Sequence, residues 1–254
     1  MVAEEFSSGN SLFHDLDPRI KIIVASLFST IVAIADRTEV LLLALLFSVF
    51  CVILSSLSMG KLIRRLFLVN GFILVLWVVL PFTYPGKTLF SVGPLDATAE
   101  GIRYACSITI KSNAIILACI ALLGTTPIFK LAHALRHLYV PDKLVQLLFF
   151  SYRYIHVIYL EYVRLVNAMK VRCFHPRSDL HTYKAYGHLV GMVVLKSYDC
   201  SERVHDAMLC RGFKGKFWVL DHFSLERRDL IAFIIMLLSI TGLGFLQWGK
   251  GLFS

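Results

Sequence analysis

Two arginines occur in nearly identical surroundings, and their side chains are the best candidates in this sequence for a functional contact. Arg172 lies in segment 168–174, Ala-Met-Lys-Val-Arg-Cys-Phe, and Arg211 lies in segment 207–213, Ala-Met-Leu-Cys-Arg-Gly-Phe. In both, Ala and Met precede the arginine by four and three residues, and Phe follows it by two. A guanidinium presents a rigid fork of N–H donors that matches a carboxylate. The repeat therefore predicts docking into a partner's groove.

We call segment 168–174 the first repeat and segment 207–213 the second repeat. The alternative is simple capping, because a cation is stabilised at the exposed carbonyls of a helix C-terminus. Two equivalent arginines nevertheless favour a partner with two equivalent sites, such as a dimer. The predicted docking residues are Ala168, Met169, Val171, Arg172 and Cys173 in the first repeat and Ala207, Met208, Cys210, Arg211 and Gly212 in the second.

The composition of the chain predicts a membrane protein. Of the 254 residues, 57% are hydrophobic and only 17% are charged, and the mean hydropathy is +0.70. The 26 basic residues exceed the 17 acidic ones, which is typical of Lys and Arg collecting on the cytoplasmic side of membrane spans. Nucleic-acid binding is a much weaker explanation for this charge. The six cysteines include no Cys-x-x-Cys pair and are expected to be reduced.

Apolar segments of about 20 residues predict an all-α polytopic membrane protein with five transmembrane helices. Lys61, Arg64 and Arg65 place the start of the third span at the cytoplasm. The N-terminus is then expected on the cytoplasmic side of the cell membrane, and the C-terminus on its outer side. A sixth span at 144–165 is an alternative that its recurring charges disfavour. The five predicted spans are 20–35, 40–57, 66–82, 101–124 and 230–248.

A more polar stretch of about a hundred residues separates the fourth and fifth spans. It predicts a short amphipathic helix at 127–138 and a long helix at 144–172, which His175-Pro176 ends. A second long helix at 182–209 is expected to be softly broken at Gly187 and Gly191. We expect the long helices to form an antiparallel or crossed coupling module in the cytoplasm. The predicted domains are 1–124, with four spans, 125–229, the coupling module, and 230–254, the last span.

Few other residues could do chemistry. His133 and His137 are spaced to share a helix face, but no carboxylate or thiol is near them in sequence, so a polar face or packing is favoured over a metal site. The charged motif at 14–21 predicts a helix start, with Pro18 in the first turn and basic residues at the lipid headgroups. A contact with the coupling module is its alternative. Hydrogen bonds between spans are expected from six polar residues inside them: Asn70, Asn113, Ser26, Ser29, Thr30 and Ser107.

The sequence resembles a known transporter family. The N-terminal motif His-Asp-Leu-Asp-Pro-Arg-Ile-Lys at 14–21, the hydrophobic body and both repeats resemble the transmembrane T components of energy-coupling factor transporters, and most closely the CbiQ family of cobalt importers. The resemblance covers nearly the whole chain. The family's x-Arg-x tips match 171–173 and 210–212, and Cys173 replaces the small residue that usually follows the first arginine.

This resemblance implies an energy-coupling subunit that does no chemistry itself. Its implied partners are two ABC ATPases of the CbiO type, a CbiM-like substrate-binding membrane subunit and a small CbiN-like membrane subunit. ATP and Mg would be bound by the ATPases, and cobalt by the substrate subunit, so this chain is expected to hold no cofactor. The alternatives are a T component for nickel or a vitamin, and, more remotely, an intramembrane enzyme, for which no catalytic dyad or metal-binding motif is apparent.

Overall fold

Helices dominate the computed structural model of the chain. The structure describes residues 11, 13, 16–83, 88–92, 95–138, 140–215 and 227–252. His14 and Asp15 of the N-terminal motif lie outside these residues. The described helices are α1 Pro18–Ile34, α2 Thr38–Leu54, α3 Met59–Thr83, α4 Ala99–Leu122, α5 Ile128–His137, α6 Asp142–Val171, α7 Leu180–Cys210 and α8 Arg227–Leu252. The short strands β1 Thr88–Val92 and β2 Leu95–Thr98 pair in antiparallel fashion between α3 and α4. The expected all-α membrane fold is confirmed, with this two-stranded β-ribbon as a small addition.

The helices form two compact units, and the division falls within α5. One unit, which we call the apolar unit, contains α1 to α4, the start of α5, and α8. The other, which we call the hairpin unit, contains the rest of α5 together with α6 and α7.

In the apolar unit, α4 packs against α1, α2 and α3. Its contact face carries small residues, including the fully buried Ala114 and Ala121, which let neighbouring helices approach closely. Helix α8 packs against α1 and α2. The core of this unit therefore depends on helices from both ends of the sequence.

Three described helices are long and apolar enough to cross a membrane: Met59–Thr83, Ala99–Leu122 and Arg227–Trp248. Helix α2 is apolar but shorter, and α1 has 17 residues. All five predicted spans thus coincide with helices. Helix α3 begins before the predicted start of the third span at 66, so the cations at 61–65 lie within the same continuous helix. Helix α6, which contains the alternative sixth span, is not among the candidate spans of the described chain.

Polar residues within the apolar unit follow two patterns. Asn113 Nδ2 donates to Asn70 Oδ1 at 3.0 Å, and Trp77 Nε1 donates to Thr109 Oγ1 at 2.9 Å, so α3 and α4 are joined by side-chain hydrogen bonds as expected for the two asparagines. The hydroxyls of Ser26, Ser29 and Thr30 instead donate to carbonyls of their own helix. The prediction that these three join different helices is wrong, because a carbonyl three or four residues earlier is always within reach.

Gly101 marks the closest approach of α3 and α4. A Cβ atom at this position would lie 2.8 Å from the Leu80 carbonyl oxygen and 2.8 Å from Pro81 Cα. The Gly101 N–H donates to Thr98 Oγ1, which caps α4, and Thr98 Oγ1 donates to the Pro81 carbonyl. The contact is therefore made by backbone atoms that a side chain would push apart.

We expect Gly101→Ala to destabilise the protein by about 2 kcal/mol, because overpacking must move one helix backbone away from the other. Gly71→Ala is the matched control, since Gly71 lies inside α3 with nothing within 4 Å of the added Cβ, and alanine there should be neutral or stabilising by up to about 1 kcal/mol. Unfolding of both purified variants in detergent would measure the difference. Equal stability of the two variants would contradict the tight contact.

Asp17 and Lys21 of the N-terminal motif belong to a buried charged cluster with Asp229, which we call the Lys21 cluster. Lys21 is fully buried, with 0% of its surface exposed, and its Nζ donates to Thr126 Oγ1 at 2.7 Å. Asp17 and Asp229 are also buried. Asp17 caps α1 by accepting from the Arg19 N–H at 2.9 Å, and its own N–H donates to Asp229 Oδ1 at 3.4 Å. The prediction that the basic residues here lie at lipid headgroups is wrong for Lys21, because Thr126 gives its ammonium a partner inside the protein.

Helices α6 and α7 of the hairpin unit are each continuous. Helix α7 runs without interruption from Leu180 to Cys210, so the predicted break at Gly187 and Gly191 is wrong. A single glycine costs a helix only about 1 kcal/mol, which the favourable residues on either side offset. Pro141 is the N-cap of α6.

Candidate docking site at the two helix ends

The first repeat forms the C-terminal cap of α6. Arg172 is the C-cap residue, and Cys173 after it has a φ of 57°. The Cys173 N–H donates to the Lys170 carbonyl at 3.0 Å, and the Phe174 N–H donates to the Met169 carbonyl at 3.1 Å. This pair of backbone bonds around a left-handed residue is a Schellman motif.

The second repeat forms the same cap at the end of α7. Arg211 is the C-cap residue, and Gly212 has a φ of 79°. The Gly212 N–H donates to the Leu209 carbonyl at 2.9 Å, and the Phe213 N–H donates to the Met208 carbonyl at 3.0 Å. Each residue of one repeat therefore has a counterpart in the same backbone position of the other.

The shared cap explains the spacing of the repeat. Methionine occupies the C3 position and phenylalanine the C″ position, where a hydrophobic contact commonly accompanies a Schellman motif. Phe174 and Phe213 are thus structural members of the site that were not among the predicted docking residues. The five-residue interval from Met to Phe is the signal that identifies them.

The two guanidinium groups are available to a partner. Arg172 and Arg211 are exposed, and neither side chain forms a hydrogen bond or ion pair with any residue that the structure describes. The carbonyls at both helix ends receive backbone N–H groups instead. Capping therefore uses the backbone of each arginine and leaves its side chain unused, while Val171 beside it is 84% exposed.

Contacts between α6 and α7 place the two arginines at opposite ends of an antiparallel hairpin. The Phe174 ring lies 6.1 Å from that of Tyr186, Lys196 Nζ lies 3.5 Å from Glu161 Oε2, and Gln146 Nε2 donates to the Gly215 carbonyl at 3.3 Å. Arg172 is thus near the turn, and Arg211 lies opposite the first turns of α6. At 1.5 Å per residue of helix, the arginines are roughly 35 Å apart.

A groove of about 980 Å³ separates α6 and α7 between the Glu161–Lys196 pair and the open end of the hairpin. Tyr154, Val157 and Ile158 contribute apolar surface from α6, while Cys200 and Met208 contribute from α7. Met208 belongs to the second repeat, so this groove adjoins one of the two caps.

On the exposed surface of α7, a hydrogen bond to Glu202 raises the pKa of the Tyr198 phenol, with smaller contributions from desolvation and Asp199.

The two caps differ at the left-handed residue, and this difference predicts a change in stability. Cys173 occupies a conformation that costs an L-residue about 1 kcal/mol and costs glycine little. We expect Cys173→Gly to raise the free energy of unfolding by about 1 kcal/mol, and Gly212→Cys to lower it by a similar amount. Chemical unfolding of the two variants in detergent would test this, and a loss of stability in Cys173→Gly would show that the thiol makes a compensating contact.

The paired histidines do not form a metal centre by themselves. The rings of His133 and His137 lie 5.0 Å apart in an edge-to-face arrangement on α5. Within the described part of the chain, no group of three or more His, Cys, Asp or Glu residues could hold a metal ion. The two rings contact each other, with His133 partly buried and His137 exposed.

Comparison with known proteins places the chain in a family. The family model described as cobalt transport protein, CbiQ, matches residues 9–219. This match covers both repeats and the helices that carry them. The chain belongs to the CbiQ family. The resemblance of the sequence to the T components of energy-coupling factor transporters is thereby confirmed.

Individual relatives agree with this assignment. The energy-coupling factor transporter transmembrane protein EcfT of Leuconostoc gelidum is 28% identical over 258 residues, which cover 91% of this chain and 93% of the relative. EcfT of Bacillus subtilis is 27% identical over 232 residues, 85% of each protein. An uncharacterized protein of Methanocaldococcus jannaschii is 24% identical over 246 residues, 94% of this chain and 84% of the relative.

Proposed function

We propose that this chain is the transmembrane component of an energy-coupling factor importer, and that it couples two ABC ATPases to a substrate-binding membrane subunit. The observation that carries the proposal is the pair of helix caps with the same backbone hydrogen bonds, each presenting an unused arginine. Their separation of roughly 35 Å is about the diameter of a small domain. Such a distance suits one acidic groove on each of two neighbouring ATPase subunits better than two contacts within a single groove.

The hairpin of α6 and α7 would transmit the motion of the ATPases. When ATP draws the two ATPases together, grooves that hold Arg172 and Arg211 pull on both ends of the same hairpin. A Schellman motif fixes the backbone at each end, so a force on the guanidinium is passed to the helix instead of unwinding its last turn. ATP and Mg belong to the ATPases in this scheme, and the transported ion belongs to the substrate subunit.

Cobalt is the proposed substrate because the family is described as a cobalt transport family. The names of the EcfT relatives specify no cargo, so nickel or a vitamin stays the alternative. We further propose that the chain is a multi-pass protein of the cell membrane, that its N-terminus and hairpin unit lie in the cytoplasm, and that its substrate subunit is CbiM-like.

Uptake by the assembled importer would test this function. We expect cells that express the chain with its ATPases and substrate subunit to accumulate radioactive cobalt, and cells that lack only this chain to lose that uptake. Parallel assays with nickel and with vitamins identify the cargo. If the complex forms but carries another substrate, the cobalt assignment is wrong. If the ATPases do not purify with the chain, the coupling role itself is wrong.

A further inference from the structure

Three cations lie on the face of α3 that is directed away from α4, which we call the outward face. Lys61, Arg64 and Arg65 fall within its first two turns, and the positions that follow on the same face are Leu68 and Phe72. All three cations are exposed. Leu68 is 79% exposed and Phe72 is 71% exposed, so the residues that the structure describes leave the apolar part of this face uncovered.

The opposite face of α3 makes the contacts with the protein. Leu62 and Ile73 are buried, and Asn70 and Trp77 are hydrogen-bonded to residues of α4. These four positions recur at helical spacing on the side away from the cations. The orientation of α3 is therefore fixed by α4, and the cations point away from the protein core.

The outward face carries positive charge at its start and apolar side chains after it, in the same order as the headgroup and acyl chains of an anionic phospholipid. The sequence contains no Asp or Glu between Glu39 and Asp96, so α3 itself carries basic residues and no acidic ones. Below the cations, the exposed surface is purely apolar at Leu68 and Phe72. Basic residues next to a membrane span attract anionic headgroups at about 1 kcal/mol each.

We propose that Lys61, Arg64 and Arg65 form a binding site for an anionic phospholipid, whose phosphate contacts the cations and whose acyl chains lie along Leu68 and Phe72. The site depends on the placement of α3 in a membrane and is independent of ATPase docking. Its probe is phosphatidylglycerol, with phosphatidylcholine of the same acyl chains as the neutral reference.

Native mass spectrometry of the full chain in neutral detergent would measure the binding. We expect phosphatidylglycerol to be retained in preference to phosphatidylcholine, and the variant Lys61→Gln/Arg64→Gln/Arg65→Gln to bind it about 100-fold more weakly, at roughly fivefold per cation. The variant Lys143→Gln/Lys184→Gln/Arg203→Gln removes three exposed cations of the hairpin unit. This control should change the affinity less than threefold.

Three binding results would overturn the proposal: equal binding of the two lipids, equal weakening in both triple variants, or displacement of the lipid by millimolar inorganic phosphate. A fourth would be photolabelling by the lipid that occurs in the isolated chain but not in the assembled complex. For the last of these, photoactivatable phosphatidylglycerol is added to membranes that hold the assembled complex. Failure to label residues 61–72 there would mean that another protein covers the face. If the triple variant does not fold, the single variant Arg64→Gln is the test, and its affinity for phosphatidylglycerol should fall roughly fivefold.

Discussion

The double variant Arg172→Ala/Arg211→Ala is expected to insert into the membrane normally and to lose its ATPases and its transport activity. Neither side chain supports the fold, since neither bonds to a described residue, and both caps are made by the backbone. A charge pair buried against an acidic partner is typically worth about 2 to 5 kcal/mol. Removing both should therefore reduce ATPase retention more than 100-fold, which purification of the complex and uptake assays would measure.

A matched control is the double variant Arg177→Ala/Arg203→Ala, which removes two exposed arginines from the same unit. It changes the net charge equally and should leave retention within about twofold. Full transport by Arg172→Ala/Arg211→Ala would contradict the docking role, as would equal loss in the control.

Single and conservative substitutions distinguish the docking geometry from simple charge. Because both arginines belong to one hairpin, the first contact raises the effective concentration of the second. Each single alanine variant should then be weaker than the wild type and stronger than the double variant. Lysine carries the charge but lacks the guanidinium fork, so Arg172→Lys/Arg211→Lys is expected to restore only a minor part of the binding.

The helix ends show how much of this site the sequence could predict. The positions of Arg172 and Arg211 follow from breakers and left-handed residues after each helix, together with the matching Met and Phe, and these are local signals. Gly212 is an obvious residue for a left-handed cap. Cys173 is not, and its φ of 57° is apparent from the sequence only by analogy with the second repeat.

Long-range contacts were less predictable. Hydrophobicity locates α1 to α4 and α8, because each must have an apolar surface wherever it packs. It does not indicate that Lys21 pairs with Thr126, which lies 105 residues away, or that α8 packs against α1. Similarly, glycine content suggested a break in α7, but the structure shows that the flanking turns continue the helix through Gly187 and Gly191.

The buried Lys21 cluster gives the second large prediction. Three charged residues, Asp17, Lys21 and Asp229, lie 5%, 0% and 7% exposed where the starts of α1 and α8 meet Thr126. Asp17 lies one helical turn before Lys21, and its N–H donates to Asp229 Oδ1, so we expect the buried cation to offset these two carboxylates. Removing such a cation typically costs about 3 to 5 kcal/mol. We expect Lys21→Met to destabilise the chain by about 3 kcal/mol, measured by thermal or chemical unfolding in detergent.

A second substitution separates the loss of charge balance from a loss of packing. Asp229→Asn keeps an amide oxygen that can accept the Asp17 N–H, while it removes one of the two negative charges. The combination Lys21→Met/Asp229→Asn should therefore recover about 1 to 2 kcal/mol relative to Lys21→Met alone, whereas a pure packing defect would be unchanged or worse. Arg64→Met, on the outward face of α3, should be nearly neutral for unfolding. Recovery in the double variant would show that Lys21 balances the charge of the two carboxylates where α1 meets α8, and the absence of recovery would assign Lys21 a steric role only.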